Sequence, residues 1–378
     1  MNEIDATNLS DYFAKIPDKR IKRKQLYPLI EIFVIALCGI IAGAESWVEI
    51  VEYGYQKEAW LRSFLRLENG IPSHDTMNRV FNFVDPIVFG RCFLEWMQAE
   101  LALSHEEVVA IDGKTLRRSH DSSDGKAAIH MVSALASESG LVLGQMKVAE
   151  KSNEITAIPK LLEVLEVKDC IITIDAMGCQ KEIARKIGEK GANYVLALKG
   201  NQGNLHKDIG LFFEDAHAQD FKNIPVEYEK IIEKNRDRIE ERRYWITNQV
   251  GWLKEMGHAW AGLKTIGMVE STRTLKGVTS REARYYIASI LPDAKLFAHA
   301  TRSHWAIENK LHWLLDVVFR EDECRCRKGH GAENFAVLRH LALNLIKKNP
   351  YYTKKSVRCR RKIAAWNQDY LKELLFTR

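Results

Sequence analysis

The chain has 378 residues, of which 46% are hydrophobic and 28% are charged. This is enough for two or three globular domains and excludes a disordered or fibrous protein. The net charge of +6 is unevenly distributed, since residues 320–378 contain fifteen Lys or Arg against six Asp or Glu. A second basic cluster occupies residues 19–24. Either cluster alone fits a solvated surface, but the two together favour a polyanionic partner.

The seven cysteines are odd in number, scattered and partly embedded in apolar runs. This pattern predicts a reduced, cytoplasmic protein. Cys324 and Cys326 have no second pair at the spacing of a zinc site. The longest apolar stretch, residues 32–44, is shorter than the roughly 20 residues that span a bilayer. It predicts a buried helix, and we expect neither a membrane segment nor a signal peptide.

Residues 1–100 have apolar residues at helical spacing and are predicted to form an N-terminal helical domain. Ser73 is a candidate N-cap for a helix whose apolar stripe includes Met77 and Val80. The glycine-containing turn before this helix fits a helix-turn-helix reader of DNA. An ordinary helical hairpin gives the same pattern, so DNA binding by this domain is a hypothesis.

The period of the apolar residues changes after residue 106, from helical to alternating. The elements predicted next are strands at 108–112, 129–136 and 141–148, a helix at 154–165, a strand at 171–175, a helix at 180–190 and a strand at 194–198. Three antiparallel strands followed by helix, strand, helix and strand is the order of a ribonuclease-H-like mixed sheet flanked by helices. In that α/β fold the first and fourth strands are neighbours.

Residues 205–283 are predicted to form a β-rich insertion, because charged and apolar residues alternate there. A strand at 284–288 and helices at 293–315 and 332–347 then resume the flanking pattern. The catalytic domain is therefore predicted to be split, over residues 101–204 and 284–350. Residues 351–378 form a basic C-terminal tail.

Three carboxylates are the candidate catalytic residues. Asp112 and Asp175 each end an apolar strand, and Glu308 follows Trp305 and Ile307 on a predicted helix. Neighbouring strands would place both aspartates at one height, and helical spacing predicts that Glu308 faces the sheet. Three clustered carboxylates need cations between them, which predicts two Mg²⁺ ions, replaceable by Mn²⁺, about 3.5–4 Å apart. A turn, a helix cap and a surface ion pair are the structural alternatives for the three residues.

Basic and polar residues follow the same strands and are candidates for holding DNA phosphates. Trp305 is a candidate for stacking on a base, although tryptophans are more commonly core residues. Arg302 and His304 precede the predicted catalytic glutamate. The predicted DNA-binding residues are Lys114, Arg117, Arg118, Lys199, Asn201, Gln202, Arg302, His304 and Trp305.

Five motifs in order are similar to those of the H-repeat-associated transposases, enzymes of the DDE class that are often linked to Rhs elements. These motifs are Ile111-Asp112-Gly113-Lys114-Thr115-Leu116-Arg117, Lys151-Ser152-Asn153-Glu154-Ile155, Asp175-Ala176-Met177-Gly178-Cys179-Gln180, Lys199-Gly200-Asn201-Gln202 and residues 304–313, His-Trp-Ala-Ile-Glu-Asn-Lys-Leu-His-Trp. The resemblance implies that Asp112, Asp175 and Glu308 bind the metal ions. It also implies that the β-rich block is the insertion found in related enzymes.

The chain departs from the wider group of cut-and-paste relatives around the glutamate. Those relatives carry a tyrosine, an arginine and a lysine where this chain has Thr301, His304 and Leu315. DNA-hairpin formation during excision therefore does not follow from the resemblance. Asp316 is predicted to lie about 12 Å from Glu308 along the helix, too far to share a metal ion.

The leading hypothesis is a metal-dependent transposase that acts on double-stranded DNA, at terminal inverted repeats and at the target. Assembly of a synaptic complex implies a homodimer or higher oligomer, associated with the bacterial nucleoid when bound. A nuclease without end specificity and a catalytically silent DNA-binding remnant are the alternatives. A further alternative is a zinc or iron site at His304, Glu308 and His312, which follow each other at four-residue steps.

Overall fold

The computed structural model describes residues 9–101, 103–120, 125, 127–149, 153–235 and 238–376. Of the five sequence motifs, only Lys151 and Ser152 lie outside the described residues. No single described helix is long and apolar enough to cross a bilayer. Among the described helices, Leu29–Ala42 and Trp47–Gln56 reach the necessary length and apolar character only when taken as a pair, and the two are bent by 95° relative to each other. The first helix of this pair is largely buried within the protein, as the apolar run predicted.

Six α-helices make up the N-terminal part from residue 9 onward, where the structure describes it, which confirms that this part is helical. They are α1 (Leu9–Phe13), α2 (Leu29–Ala42), α3 (Trp47–Gln56), α4 (Glu58–Leu61), α5 (His74–Phe83) and α6 (Pro86–Glu100). The Ser73 side chain accepts a hydrogen bond from the Thr76 backbone and caps α5, which confirms the predicted N-cap.

The strands and helices of the middle part alternate as the sequence predicts. They are β1 (Val108–Leu116), β2 (Ile129–Ala136), β3 (Val142–Lys147), α7 (Glu154–Val164), β4 (Ile171–Ile174), α8 (Lys181–Glu189) and β5 (Asn193–Leu198). β1 pairs antiparallel with β2 and parallel with β4, and β4 pairs parallel with β5. This strand order, 3-2-1-4-5, is that of a ribonuclease-H-like sheet, so the predicted fold is confirmed.

The β-rich segment extends this sheet instead of forming a separate one. Its elements are α9 (Gly203–Ala218), β6 (Glu227–Asn235), β7 (Arg238–Thr247), α10 (Lys254–His258), β8 (Thr265–Leu275) and β9 (Val278–Ala288). β9 pairs antiparallel with β5, and β8, β7 and β6 follow outward to complete nine strands. The predicted boundary between residues 283 and 284 falls inside β9, so one continuous strand joins the insertion to the catalytic part.

One long helix crosses the sheet beside β1. It begins as α11 (Ala294–Ile307) and continues through two π-helical turns, Glu308–His312 and Leu314–Val318. Glu308 lies on the side of this helix toward the sheet, with a carboxylate oxygen within 4.8 Å of Asp112, although 64% of its side chain is exposed.

Three more α-helices follow in the described residues up to 376: α12 (Gly331–Lys348), α13 (Val357–Trp366) and α14 (Gln368–Phe376). Buried side chains of α12, α13 and α14 join those of α2, α3, α5 and α6 in one apolar core. The segment predicted as a basic tail therefore contains two packed helices. A second core lies between the sheet and α7, α8 and α9, so helices cover both faces of the sheet.

Gly267 in β8 lets α11 approach the sheet closely, and we predict that Gly267→Ala destabilises the fold. A Cβ atom there would lie 2.5 Å from the Phe297 ring of α11. Overpacking of this kind costs about 1–3 kcal/mol, which a urea denaturation curve measures. Gly188→Ala in α8 is the control, since its Cβ would meet nothing within 4 Å and alanine is the better helix former. A Gly267→Ala protein as stable as the wild type would contradict this account of the packing.

Candidate functional site

The aspartates at the ends of β1 and β4 lie in one cleft. Ile111 pairs with Ile174 in the parallel β1–β4 ladder, so Asp112 and Asp175 are the next residues on adjacent strands. The preceding residues, Ile111 and Ile174, pack into the core between the sheet and α7, α8 and α9. Because side chains alternate along a strand, Asp112 and Asp175 lie on the other face of the sheet, toward α11. Glu308 of the long helix also lines this cleft, whose volume is about 380 Å³. The structure thus brings the three predicted carboxylates to one site.

His312 joins two of these carboxylates in the closest group of potential metal ligands. One donor atom from each of Asp112, Glu308 and His312 lies within 4.8 Å of the others. The His312 Nδ1 atom is 3.2 Å from Glu308 Oε2 and 3.6 Å from Asp112 Oδ2. The His312 side chain is only 6% exposed, and its Nε2 atom is buried without a hydrogen-bond partner.

Asp175 is held by the loop that follows β4. Its Oδ1 atom accepts hydrogen bonds from the backbone amides of Met177 and Gly178, at 3.0 and 3.2 Å. The Asn201 side chain donates to the Ala176 carbonyl oxygen at 2.7 Å and ties the same loop to the end of β5. Asp175 therefore has a fixed orientation at the cleft, although it lies outside the group formed with His312.

The carboxyl group of Asp112 is strongly affected by its surroundings. Burial raises its pKa to about 6, and the charges of Glu154 and Asp175 act in the same direction. The imidazole of His312 and the Gly113 backbone amide oppose the rise. The ionised form of Asp112 is thus costly in the protein alone, which is the condition under which a bound cation gives the largest stabilisation.

The opposite face of β1 carries a histidine and a glutamate directly beneath Gly113. His130 Nε2 is 2.7 Å from Glu154 Oε1, and Thr115 Oγ1 is 2.8 Å from His130 Nδ1. A Cβ atom at position 113 would lie 2.1 Å from Glu154 Oε1. Glycine is therefore required here because the strand packs directly on this pair. Neither side chain was predicted to lie next to the site, although Glu154 belongs to one of the recognised motifs.

Lys114 lies among carboxylates and not at a free surface. Its Nζ atom is 2.7 Å from Asp316, 3.0 Å from Glu321 and 3.4 Å from Asp322, and the side chain is 11% exposed. Arg339 lies on the other side of Glu321, at 3.9 Å. Asp316 was predicted to lie too far from Glu308 to share its metal ion, and its carboxylate instead forms an ion pair with Lys114. These pairs connect β1 to the segment after the long helix.

The remaining predicted phosphate contacts fall into two groups. Lys199 is exposed and lines the cleft, and Arg118 is exposed beyond β1. Arg117 is 79% exposed but pairs with Asp322 at 3.2 Å. Gln202 donates to the Cys179 carbonyl at 2.6 Å, so it acts with Asn201 in holding the loop after Asp175.

The residues before Glu308 are arranged on different sides of α11. His304 lines the cleft, and burial lowers its pKa while the nearby charge of Asp175 raises it. Trp305 is 53% exposed, with the Arg284 guanidinium 4.6 Å from its ring centre. Arg302 is paired with Glu233 of β6 at 2.7 and 2.8 Å. Trp305 is therefore available to a ligand, whereas Arg302 joins α11 to the insertion.

Sequence reasoning gave His312 a place only in the zinc or iron alternative. The signal was present, since His312 follows Glu308 by four residues in the last recognised motif. His304, the other histidine of that alternative, lies outside the close ligand group.

Comparison with known proteins decides the family. Residues 103–345 match the family described as "Transposase DDE domain", and residues 10–97 match the one described as "DDE_Tnp_1-associated". The chain belongs to the DDE transposase family. The predicted resemblance to its H-repeat-associated members is confirmed by a full-length relative of that group, described next.

The curated relatives include full-length matches. The chain is 43% identical to "Putative transposase YncI" of Escherichia coli O157:H7, over 97% of this chain and 94% of that protein. It is 40% identical to "H repeat-associated putative transposase YhhI" of Escherichia coli strain K12, over 98% of both. A solved structure titled as a piggyBac transposase synaptic complex with hairpin DNA aligns over 99% of this chain and 77% of that one. Its TM-score of 0.43 and 11% identity are too low to support an inference.

We predict that Asp112→Asn stabilises the metal-free protein at alkaline pH. The folded-state pKa of about 6 exceeds the ordinary value of 3.8, so ionisation of Asp112 destabilises the fold as the pH rises through 6. The penalty is absent below about pH 4, where the carboxyl is protonated in both states. The substitution should add about 1–3 kcal/mol to the free energy of unfolding at pH 8 in EDTA, and much less at pH 4.

Urea denaturation at the two pH values measures this difference. Asp369→Asn, at an exposed position of α14, is the matched control and should change stability by less than about 0.5 kcal/mol. An Asp112→Asn protein that is less stable than the wild type at pH 8 would contradict the assigned electrostatic cost. Adding Mn²⁺ in place of EDTA should stabilise the wild type by mass action and the variant far less.

Proposed function

We propose that this DDE-family protein is an active transposase that binds the ends of an insertion sequence. It hydrolyses a phosphodiester bond at each end to release a 3′ hydroxyl group and directs that hydroxyl at target DNA. The observation that carries the proposal is the convergence of Asp112, Asp175 and Glu308, from two strands and a helix, on one cleft. Full-length similarity to transposases supports it.

The residues of the cleft fit a divalent cation. Asp112 and Glu308 offer oxygen atoms within 4.8 Å of each other. Burial raises the pKa of Asp112, so a bound cation would stabilise its ionised form. Oxygen ligands favour Mg²⁺, with Mn²⁺ as a substitute. We propose that Asp112, Asp175 and Glu308 are the metal ligands. When bound, divalent cations in such a site activate the attacking hydroxyl and stabilise the leaving oxygen.

His312 holds two of these carboxylates in place in our proposal. A proton on its Nδ1 atom can be donated to Glu308 Oε2 at 3.2 Å, and Asp112 lies on the same side of the ring at 3.6 Å. The exposed Glu308 side chain is thereby kept near the buried Asp112. Because imidazole is the preferred ligand of zinc and iron, a site of Asp112, Glu308 and His312 for one of those metals is the second candidate. Elemental analysis of the purified protein, made without added metal, distinguishes the two.

The chain's own groups surround the proposed substrate position. We propose that Lys199 and Arg118, both exposed, bind the phosphates beside the cut, and that Trp305 and His304 contact the DNA from the helix. Arg117 can bind a phosphate by exchanging its partner Asp322. Asn201 and Gln202 hold the loop of Asp175 and act indirectly. Lys114 and Arg302 retain their carboxylate partners and support the site without reaching DNA.

The proposed substrates are double-stranded terminal inverted repeats and target DNA, handled in the cytoplasm by a dimer or higher oligomer. The relative described as "Inactive transposase YbfQ" is 34% identical over only 20% of this chain. Because that relative is described as inactive, a DNA-binding protein that has lost catalysis is retained as the alternative hypothesis for this chain. The nuclease without end specificity is separated by comparing cleavage of element ends with cleavage of random duplexes.

We predict that Asp112→Asn, Asp175→Asn and Glu308→Gln each reduce strand cleavage by at least about 10³-fold, because each removes a charge that holds the metal ions. Binding of element-end DNA should change by less than about threefold, since the phosphate contacts remain. Gel assays of cleavage with Mg²⁺ and of binding with EDTA measure the two effects. Asp208→Asn on α9 is the control, and it should cleave at the wild-type rate. Normal cleavage by any of the three variants would remove that residue from the site.

A further inference from the structure

The six Lys and Arg side chains of residues 354–362 divide into buried and exposed sets. Arg360 is buried and donates to the Asn349 carbonyl at 2.6 Å and to the Tyr370 hydroxyl at 3.0 Å. Arg361 is buried too and donates to the carbonyl oxygens of Ile40 and Val318. These two arginines satisfy helix ends inside the protein and have no role at a surface.

The exposed set forms what we call the C-terminal basic surface, defined as Lys354, Lys355, Arg358 and Lys362. Arg358 and Lys362 are four residues apart on α13 and share one face, and the two lysines lie just before that helix. None of the four has a carboxylate within 4.0 Å among the described residues. Four like charges within nine positions repel one another unless a polyanion is present.

The arginines of the insertion sheet differ in this respect. Arg242 pairs with Glu233 and Glu240, Arg243 with Glu241, and Arg281 with Glu270. A ligand phosphate would have to displace these carboxylates. The C-terminal basic surface offers its charge without such a cost.

The surface is also firmly attached to the helix that carries Glu308. The bond from Arg361 to the Val318 carbonyl joins α13 to the last turn of that helix, and the Arg361 guanidinium lies 4.2 Å from the Phe319 ring centre. Val318 is ten residues beyond Glu308, at most about 15 Å along the helix axis at the α-helical rise. Duplex DNA that enters the cleft carries a charge about every 1.7 Å along its axis, so neighbouring phosphates extend over such a distance.

Exposed aromatic rings border the cations. Tyr351 and Tyr352 are 54% and 45% exposed, and the Tyr352 ring packs edge-on against Tyr370 at 5.0 Å. Tyrosine hydroxyls and lysine ammonium groups are common partners of DNA phosphates. An anionic membrane would attract the same charges, but the attachment of α13 to the site helix favours the substrate of that site.

We propose that the C-terminal basic surface binds the phosphate backbone of duplex DNA beside the segment held in the cleft. This inference rests on the proposed function, since it assigns part of the same substrate. The contact reads no sequence. It adds affinity that depends on salt and holds the duplex in register with Glu308.

The test is the variant Lys354→Gln/Lys355→Gln/Arg358→Gln/Lys362→Gln, with binding followed by fluorescence anisotropy between 50 and 300 mM NaCl. Each lost phosphate contact lowers the slope of log affinity against log salt by about 0.9. We expect a slope reduced by about 2–4 and an affinity at about 100 mM salt reduced at least tenfold. The reduction should be equal for element-end and random duplexes.

The control is Lys15→Gln/Arg62→Gln/Arg185→Gln/Arg281→Gln, which removes the same charge from exposed cations that each have a carboxylate partner. Its salt slope should equal that of the wild type. Equal slopes for the wild type and the C-terminal variant would overturn this inference alone. A wild type without affinity for any duplex would overturn the proposed function as well.

Two further measurements complete the test. Circular dichroism confirms folding of both variants, and amine-reactive footprinting of the wild type should show protection of Lys354, Lys355 and Lys362 by duplex DNA. The absence of protection would count against the proposal even if a variant misfolded. Sedimentation with vesicles of one part phosphatidylserine to three parts phosphatidylcholine tests the other partner. Vesicle binding lost in the C-terminal variant, with DNA binding unchanged, would replace DNA by a membrane surface.

Discussion

The parallel pairing of β1 with β4 is the constraint on which the site depends. Ile111 is opposite Ile174 in that ladder, and the next residue on each strand is an aspartate. A shift of one residue in register would turn one of the two aspartates toward α7 and the apolar core behind the sheet. The side chains of residues 108–111 in β1 and 171–174 in β4, all under 3% exposed, therefore determine where the carboxylates of the site are.

Consecutive residues of β1 point to opposite faces of the sheet and contact different partners. Asp112 faces the long helix and carries the charge of the site, whereas Gly113 packs against Glu154 and His130 on the other side. Lys114 returns to the first face and pairs with three carboxylates. Nothing in this short segment can be exchanged freely, because each residue meets a different and closely packed partner. The recognised motif around Asp112 thus has a structural reason as well as a chemical one.

The sequence was sufficient for the order of elements and for most of their bounds. β2 was predicted at residues 129–136 and occupies Ile129–Ala136, because its apolar residues, interrupted only by His130 and Ser133, end at a turn. β1 was predicted to end at Asp112 but extends to Leu116. The polar residues there are accommodated by partners such as Glu321, 207 positions away from Lys114, which no local pattern reveals.

The position of Glu308 shows a second limit of sequence reasoning. Helical periodicity placed Trp305 and Glu308 on the face of the helix toward the sheet, and both line the cleft there. Both are nevertheless largely exposed, because this part of the face borders an open cleft, which periodicity does not distinguish from a packed core. The π-helical turns that begin at Glu308 were not predicted either. Irregular turns of this kind frequently mark functional sites. They depend on hydrogen bonds between backbone groups and have no signature in the amino-acid pattern.

The site therefore combines a rigid half with an adjustable one. Burial alone would raise the pKa of Glu321, but the charges of Lys114 and Arg339 have the larger opposite effect, and the pKa is lowered from its ordinary value of 4.5. The carboxylate therefore remains charged inside the protein. The ion pairs of Glu321 with Lys114 and Arg339 fix β1 against α12 and against the segment after the long helix. Asp112 lies on β1 and Asp175 follows its neighbour β4, so both aspartates are held in place as well. Glu308, exposed on a π-helical turn, is held mainly through His312. A ligand that needs three carboxylates can then be bound by movement of one side chain, at little cost to the sheet that holds the other two.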